Sequence, residues 1–396
     1  MRCRSGSSCL SSCRGDFAML RPTPKPAHPK RGRGHHEENR PSLPLGCFYC
    51  CSRKECGGLR VKDRIMDCLS YCCGNPEACD LVCRNNAEVF VKRIQEVGTL
   101  SLSNVPRAQR IPMPSIPDVI PIFQHGNRRT GDHPPDTIAI SLSKLFYRRT
   151  GNPKFSSATE LRSALKLDPL DRVIVTGTAQ DPLIEPWWGI GEQKRRAIIR
   201  NLKVLGIELA TTPNFSLFTQ RPRWDDMHSM KRIALVHSEF LQEGLPCALH
   251  VNGRTDRDME RWAEYVRDRD EVSTLAYEFT TGAKWKGRRE LHMKWLANIA
   301  DKASRPLDLI IRGGTASLPE LRNHFRSVTL LEATSFMHAM KRKIAIMGND
   351  GKLKWHSHPT PPGQNVDSIV WTNITAARIA FSDRKIAEGA ILNAAE

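Results

Sequence analysis

The chain has 396 residues, 40% hydrophobic and 26% charged, with a formal net charge of +18. That length holds one large domain of about 250 residues with a smaller appendage, and no apolar run approaches the roughly 18 residues of a membrane span. The excess of Lys and Arg recurs from end to end, which points to a polyanionic partner, nucleic acid before lipid headgroups, because such a field draws phosphate backbones without selecting a sequence.

Residues 1–45 combine Pro, Arg, Gly and His with almost no apolar periodicity and are expected to form a disordered basic leader. They lack the apolar core of about 7–15 residues of a secretory signal, so the expected compartment is the reducing cytoplasm. Residues 46–100 hold nine of the 13 cysteines, at Cys47, Cys50, Cys51, Cys56, Cys68, Cys72, Cys73, Cys79 and Cys83. Spacings this close let neighbouring thiolates meet at one ion. The segment is expected to be a metal-binding module, holding zinc or an iron–sulfur cluster, either of which takes four thiolates. A disulfide framework would need an oxidising compartment. The C-x3-C-x2-C pattern of radical S-adenosylmethionine enzymes does not occur in the chain. Residues 101–117 are rich in Pro and read as an extended linker.

Residues 118–396 carry eight short apolar runs, each followed by a polar or helical stretch, the alternation of a parallel sheet with crossover helices. The runs are Val119–Phe123, Thr137–Ser141, Arg172–Thr176, Gly206–Thr211, Pro246–Val251, Val272–Phe279, Leu307–Ile311 and Val328–Leu331. Helical spacing is clearest at Gly191–Leu205, Asp225–Gln242, Arg254–Arg267, Arg288–Lys302 and Leu318–Phe325. Eight strands suffice for closure, so the fold class is α/β, a (β/α)8 barrel preceded by a small Cys-rich module. An open doubly wound sheet built from the last six runs is the alternative.

In a barrel the site lies at the carboxyl ends of the strands. Three carboxylates fall there, Asp181, Glu278 and Glu332, suited to general acid, general base or nucleophile. Gln180, Asn214, His250, Asn252 and Arg254 stand beside them as substrate-binding candidates, and Arg312, Gly313 and Gly314 would cradle a phosphate. Trp187 and Trp188 are expected in a loop, as a stacking platform or a hydrophobic lid. His356 and His358 are expected in a loop as well. Lys284–Glu290 and Met340–Lys343 are basic patches that would touch phosphates or form solvated helix faces.

Two resemblances cover about residues 170–345. TTPNFSLF, Thr211–Phe218, resembles a domain family of unknown function found in phage and mobile-element genomes, which implies a genomic setting and no reaction. TAQDPLIEP (Thr178–Pro186), CALHVNG, LDLIIRGG and LLEATSFMHAMKRK (Leu330–Lys343) resemble the tRNA-guanine transglycosylase superfamily, zinc-containing barrels that exchange a guanine for a deazaguanine. That resemblance implies that Asp181 and Asn252 read a base and that Glu332 stands where the family has its aspartate nucleophile. The cysteines here precede the barrel, whereas the family's zinc site follows the late strands. The leading expectation is an enzyme, of the transferase class, that modifies or exchanges a nucleobase in DNA or RNA. The alternatives are a non-catalytic nucleic-acid-binding or accessory protein with a zinc module, and an iron–sulfur redox enzyme acting on a small molecule.

Overall fold

The computed structural model describes residues 92, 93, 95–131, 136–217, 223–280, 286–350 and 352–382. The leader and all nine clustered cysteines lie outside the described residues. Contacts divide the chain into two units: one comprises residues 101–216, 229–252 and 258–396, the other residues 1–100, 217–228 and 253–257.

The first unit contains a closed barrel of eight parallel strands in sequence order. The strands are β1 (Val119–Phe123), β2 (Thr137–Ser141), β3 (Arg172–Thr176), β4 (Ile207–Thr211), β5 (Cys247–His250), β6 (Thr274–Glu278), β7 (Asp308–Arg312) and β8 (Ser327–Glu332). Strand β8 pairs back onto β1, Leu330 opposite Val119 and Leu331 opposite Ile120, which closes the ring. Closure excludes the open sheet.

These strands form because Val, Ile and Leu fill positions buried on both faces. The inner layer takes residues from every strand: Ile120, Ile122, Ala139, Ile174, Leu209, Ala248, Ala276, Ile310 and Leu331. Alanines on β2, β5 and β6 leave room for the branched chains on the others, so the barrel is a packed core and not a pore.

The helices are α1 (Ala158–Leu165), α2 (Asp181–Gly189), α3 (Glu192–Val204), α4 (Arg223–Gln242), α5 (Asp256–Arg267), α6 (Lys286–Ala303), α7 (Leu318–His324), α8 (Thr334–Met340) and α9 (Asp367–Phe381). Helix α1 begins with a reciprocal cap close to a capping box: Ser157 Oγ at the N-cap accepts from the Glu160 amide at 3.2 Å, and the Glu160 carboxylate accepts from the amide of Ser156, one residue earlier, at 2.7 Å. Trp187 and Trp188 lie in α2 rather than in a loop, because Pro182 occupies its first turn, where a missing N–H costs nothing. Trp187 is fully buried, stacked on Phe240. Of the two expected loop histidines, His356 lies instead within a two-stranded antiparallel hairpin, β9 (Lys343–Met347) and β10 (Leu353–Ser357), while His358 follows the strand, its amide donating to the Arg342 carbonyl.

No helix is assigned between β1 and β2 among the described residues; α9 packs against β1 instead. A buried ion pair fastens it there. Arg129 Nε donates to Asp367 Oδ1 at 3.1 Å, its Nη1 donates to the Leu165 carbonyl at 2.7 Å, and its guanidinium stacks over Phe123 at 4.5 Å.

The Pro-rich stretch of residues 101–117 is bound along the barrel. Ser238 Oγ donates to the Pro106 carbonyl at 2.8 Å, Arg107 Nη1 donates to the Asp268 carbonyl at 2.7 Å, and Met113 and Ile116 pack onto the inner core layer. In the second unit, His228 pairs with Glu96 at 3.1 Å.

Candidate active site

Side chains alternate along a strand, so the residues two positions past the inner layer rim the carboxyl end of the barrel. On that count Ser141, Thr176, Thr211, His250, Glu278 and Arg312 follow Ala139, Ile174, Leu209, Ala248, Ala276 and Ile310. Of the expected residues, Glu278 and Arg312 come together as direct register partners on β6 and β7. Burial lowers the Arg312 guanidinium from its ordinary range, and the Glu278 charge opposes that shift.

Arg312 does more than pair with its neighbour. Its Nη1 donates to the Thr178 carbonyl at 2.6 Å, just past the end of β3. Strands β3 and β7 stand four apart in a ring of eight, so the guanidinium spans the mouth. Its Nε is buried with no hydrogen-bond partner among the described residues. His250 is 3% exposed, and both its ring nitrogens lack a partner among the described residues. Burial pushes its imidazole down to about 3, so it is neutral at pH 7. Its ring lies parallel to that of Tyr277, centroids 6.4 Å apart, and the Tyr277 hydroxyl bonds to His292. Buried donors and acceptors without partners are rare, and each needs an explanation.

The loops after β3, β4 and β5 are stitched together. The Ala179 amide donates to Asn214 Oδ1 at 3.0 Å, Ser216 Oγ donates to Asp181 Oδ1 at 2.6 Å, and Asn252 Nδ2 donates to the Phe215 carbonyl at 3.2 Å. Asp181, Asn214 and Asn252 thus hold loop backbone and hydroxyl in place. Gln180 is exposed at the N-cap of α2 and makes no side-chain cap bond. Arg254 donates through Nε to the Leu217 carbonyl at 2.7 Å.

Glu332 faces the other way. Leu331 belongs to the inner layer, so alternation turns Glu332 away from it, toward α8. Its Oε1 accepts from the Thr334 amide at 2.6 Å and from the Thr334 hydroxyl, and Oε2 accepts from the Ser335 amide at 2.9 Å. The carboxylate caps the helix N-terminus, where orphan amides and the helix dipole favour a negative charge.

Gly313 and Gly314 both have φ of +71°, and a Cβ on Gly314 would meet the Phe279 ring at 2.6 Å. The turn requires glycine for its backbone conformation and for space. Arg288, in the basic patch at the start of α6, is buried. Trp188 has Arg195 over its ring at 4.3 Å, and Arg195 is held by Glu239 at 2.6 Å in a buried pair. Sequence reasoning did not single out Thr176, Thr211 or Ser141; their signal was the spacing of two from the inner layer.

Among the described residues no group of three or more His, Cys, Asp or Glu is arranged to hold a metal ion, and no helix is long and apolar enough to cross a membrane.

No protein-family model matches the chain, and no curated protein matches it in sequence. Among solved structures it is similar to a protein from Aquifex aeolicus VF5, with TM-score 0.36 and 9% identity over 75% of this chain and 98% of that one. It is also similar to tryptophan synthase from M. tuberculosis, with TM-score 0.33 and 13% identity over 74% of this chain and 97% of that one. The barrel rests on the strand pairing itself, and likenesses at this level carry no argument about chemistry.

Proposed function

We propose that the chain is a barrel enzyme that modifies or exchanges a nucleobase of DNA or RNA at the mouth formed by β3, β5, β6 and β7. The observation that carries this reading is Arg312, whose half-buried guanidinium spans the mouth beside Glu278 and retains a donor with no partner among the described residues. A base entering the mouth brings exocyclic oxygens and ring nitrogens, which complement the spare donor of Arg312 and the neutral imidazole of His250. Glu278 is the proton-transferring group. Its carboxylate takes a proton from a ring N–H, the negative charge passes to the exocyclic oxygen, and Arg312 stabilises it there. The net charge of +18 supports a nucleic-acid substrate. The stretches that resemble the transglycosylase superfamily support base exchange as the reaction, with the catalytic carboxylate moved from Glu332 to Glu278. In this reading the nine cysteines of residues 46–100 hold zinc or an iron–sulfur cluster, and the protein works in the cytoplasm.

Incubation of the purified protein with tRNA or DNA and a radiolabelled base tests the proposal. Glu278→Gln is expected to lower incorporation by at least about 100-fold, the usual contribution of a positioned acid or base. Arg312→Gln is expected to abolish the thermal stabilisation that free base gives the wild type. Incorporation by Glu278→Gln at the wild-type rate would overturn the assignment.

A further inference from the structure

The hairpin β9–β10 is an addition to the closed barrel, and its two faces differ in kind. Residues whose numbers sum to 700 face each other across it: Ala345 opposite Trp355, Ile346 opposite Lys354, Ile344 opposite His356. The ladder continues at both ends, because the His358 amide donates to the Arg342 carbonyl and the Gly348 amide to the Lys352 carbonyl, each at 2.8 Å. The odd-numbered face carries Ala345, which is buried, and Trp355, whose ring stacks on His338 of α8 at 4.0 Å. This side packs on α8 and α9, and the Ala345 amide donates to Asn373 Oδ1 at 2.6 Å.

The even-numbered face points the other way. Lys352, Lys354, His356 and His358 form one exposed column along β10 and just past its ends; Arg342, across from His358, is half-buried and its Nη2 donates to the Gln364 carbonyl at 2.9 Å. Successive members stand about 6.7 Å apart at two strand residues each, a comb suited to consecutive phosphates of one strand. No ion pair engages Arg342, Lys352 or Lys354 among the described residues, whereas most arginines on the outer barrel helices are paired. Ile344 and Ile346 run beside the comb, and Ile346 is 49% exposed. Two aliphatic side chains and an inward-turned Trp355 make a poor membrane wedge, since interfacial binding scales with buried apolar area.

We propose that this outer face is a docking surface for the phosphodiester backbone of a nucleic-acid strand. It rests on the nucleic-acid part of the proposed function and adds where that strand is held. Cations without carboxylate partners contribute their full counterion release on binding, and a row of them fixes the direction of the strand without reading its bases.

The test is fluorescence anisotropy of the full chain with labelled single-stranded RNA and DNA over a salt series. The triple variant Arg342→Gln/Lys352→Gln/Lys354→Gln is expected to flatten the slope of log K against log salt by about 2 and to weaken binding about 100-fold at ~0.1 M salt. An equal charge reduction on the outer helices, Arg200→Gln/Lys203→Gln/Arg267→Gln, is expected to leave the slope within about 0.5 of wild type. Circular dichroism melts establish that both variants are folded. Glu278→Gln is expected to bind as the wild type does, so loss of chemistry and loss of docking are read separately. Equal weakening by the two triple variants would show a diffuse charge effect and overturn the inference. So would wild-type nucleic-acid binding by the hairpin variant, including the case in which it instead loses sedimentation with phosphatidylserine-containing vesicles.

Discussion

Asp367→Asn removes one negative charge, changes the side-chain volume little, and should still cost much of the domain's stability. The Arg129 side chain is fully buried and Asp367 is 7% exposed. Asp367 Oδ1 receives Arg129 Nε at 3.1 Å, while Oδ2 receives the Thr130 amide at 2.7 Å and its hydroxyl at 2.9 Å. An Asn can keep one oxygen acceptor but presents NH2 where the other was, facing a donor. The guanidinium keeps its carbonyl partners at Leu165 and Lys166 and its aromatic neighbours Phe123 and Trp371, but none of these carries a full negative charge. Breaking one side of a buried pair costs about 3–5 kcal/mol, because the surviving charge is left in low dielectric. In a domain of this size that lowers Tm by on the order of 10 °C. Urea unfolding followed by tryptophan fluorescence gives the free energy directly. The double variant Arg129→Met/Asp367→Leu should recover at least half of the loss, since an apolar pair leaves no buried charge. A single variant within about 1 kcal/mol of wild type, with an unchanged m-value, would refute the view that this pair fastens α9 to the barrel.

Two buried histidines set an acid limit on stability. Burial holds His250 at about 3 and His237 at about 4 in the folded chain, against an ordinary 6.5. Below pH 6.5 the unfolded chain therefore binds protons that the folded chain refuses, so stability is present above that pH and is lost as pH falls toward 4. The slope should approach two protons, about 2.7 kcal/mol per pH unit near pH 5. Urea midpoints between pH 7 and pH 4.5 measure it, and His237→Asn should halve the slope; an unchanged slope in that variant would refute the assignment. Glu332→Gln should cost about 1–2 kcal/mol through loss of charge at the α8 cap while leaving turnover within about threefold of wild type. Loss of turnover without loss of stability would return the chemistry to Glu332.

The barrel strands were legible because β-branched runs flanked by Gly, Pro or polar residues leave little choice, and each of the eight lies within two residues of its run. The helices that escaped notice lack such a signal. Helix α2 carries Pro182 and Pro186, which read as loop, and α1 offers only Leu161 and Leu165 to the core. The hairpin was only half legible: β9 is an apolar run, KIAIM, but its partner β10, LKWHS, is mostly polar and half-exposed and offers no apolar run of its own. Among site residues, the register of β6 and β7 places Glu278 beside Arg312 where the order of strands in a parallel sheet predicts neighbours. The reach of Arg312 to Thr178, across 134 residues of sequence, depends on side-chain direction in a closed ring and has no linear signature. Glu332 sits at the right end of its strand but on the opposite alternation from Leu331, a distinction that a count of two from the core layer would have revealed.

Covering β1 with α9 has a consequence for how the molecule is made. Arg129 must wait for Asp367, 238 residues later. At about 5–20 residues per second of synthesis, that delay is roughly 10–50 s. For most of it the first strand lacks its β8 neighbour, and for all of it the outer cover, so its apolar run stays open to other nascent chains. Chaperone demand in the cell should therefore follow the time taken to translate the middle of the message, and slow codons between β2 and α8 should lower the yield of folded protein without altering the stability of what does fold.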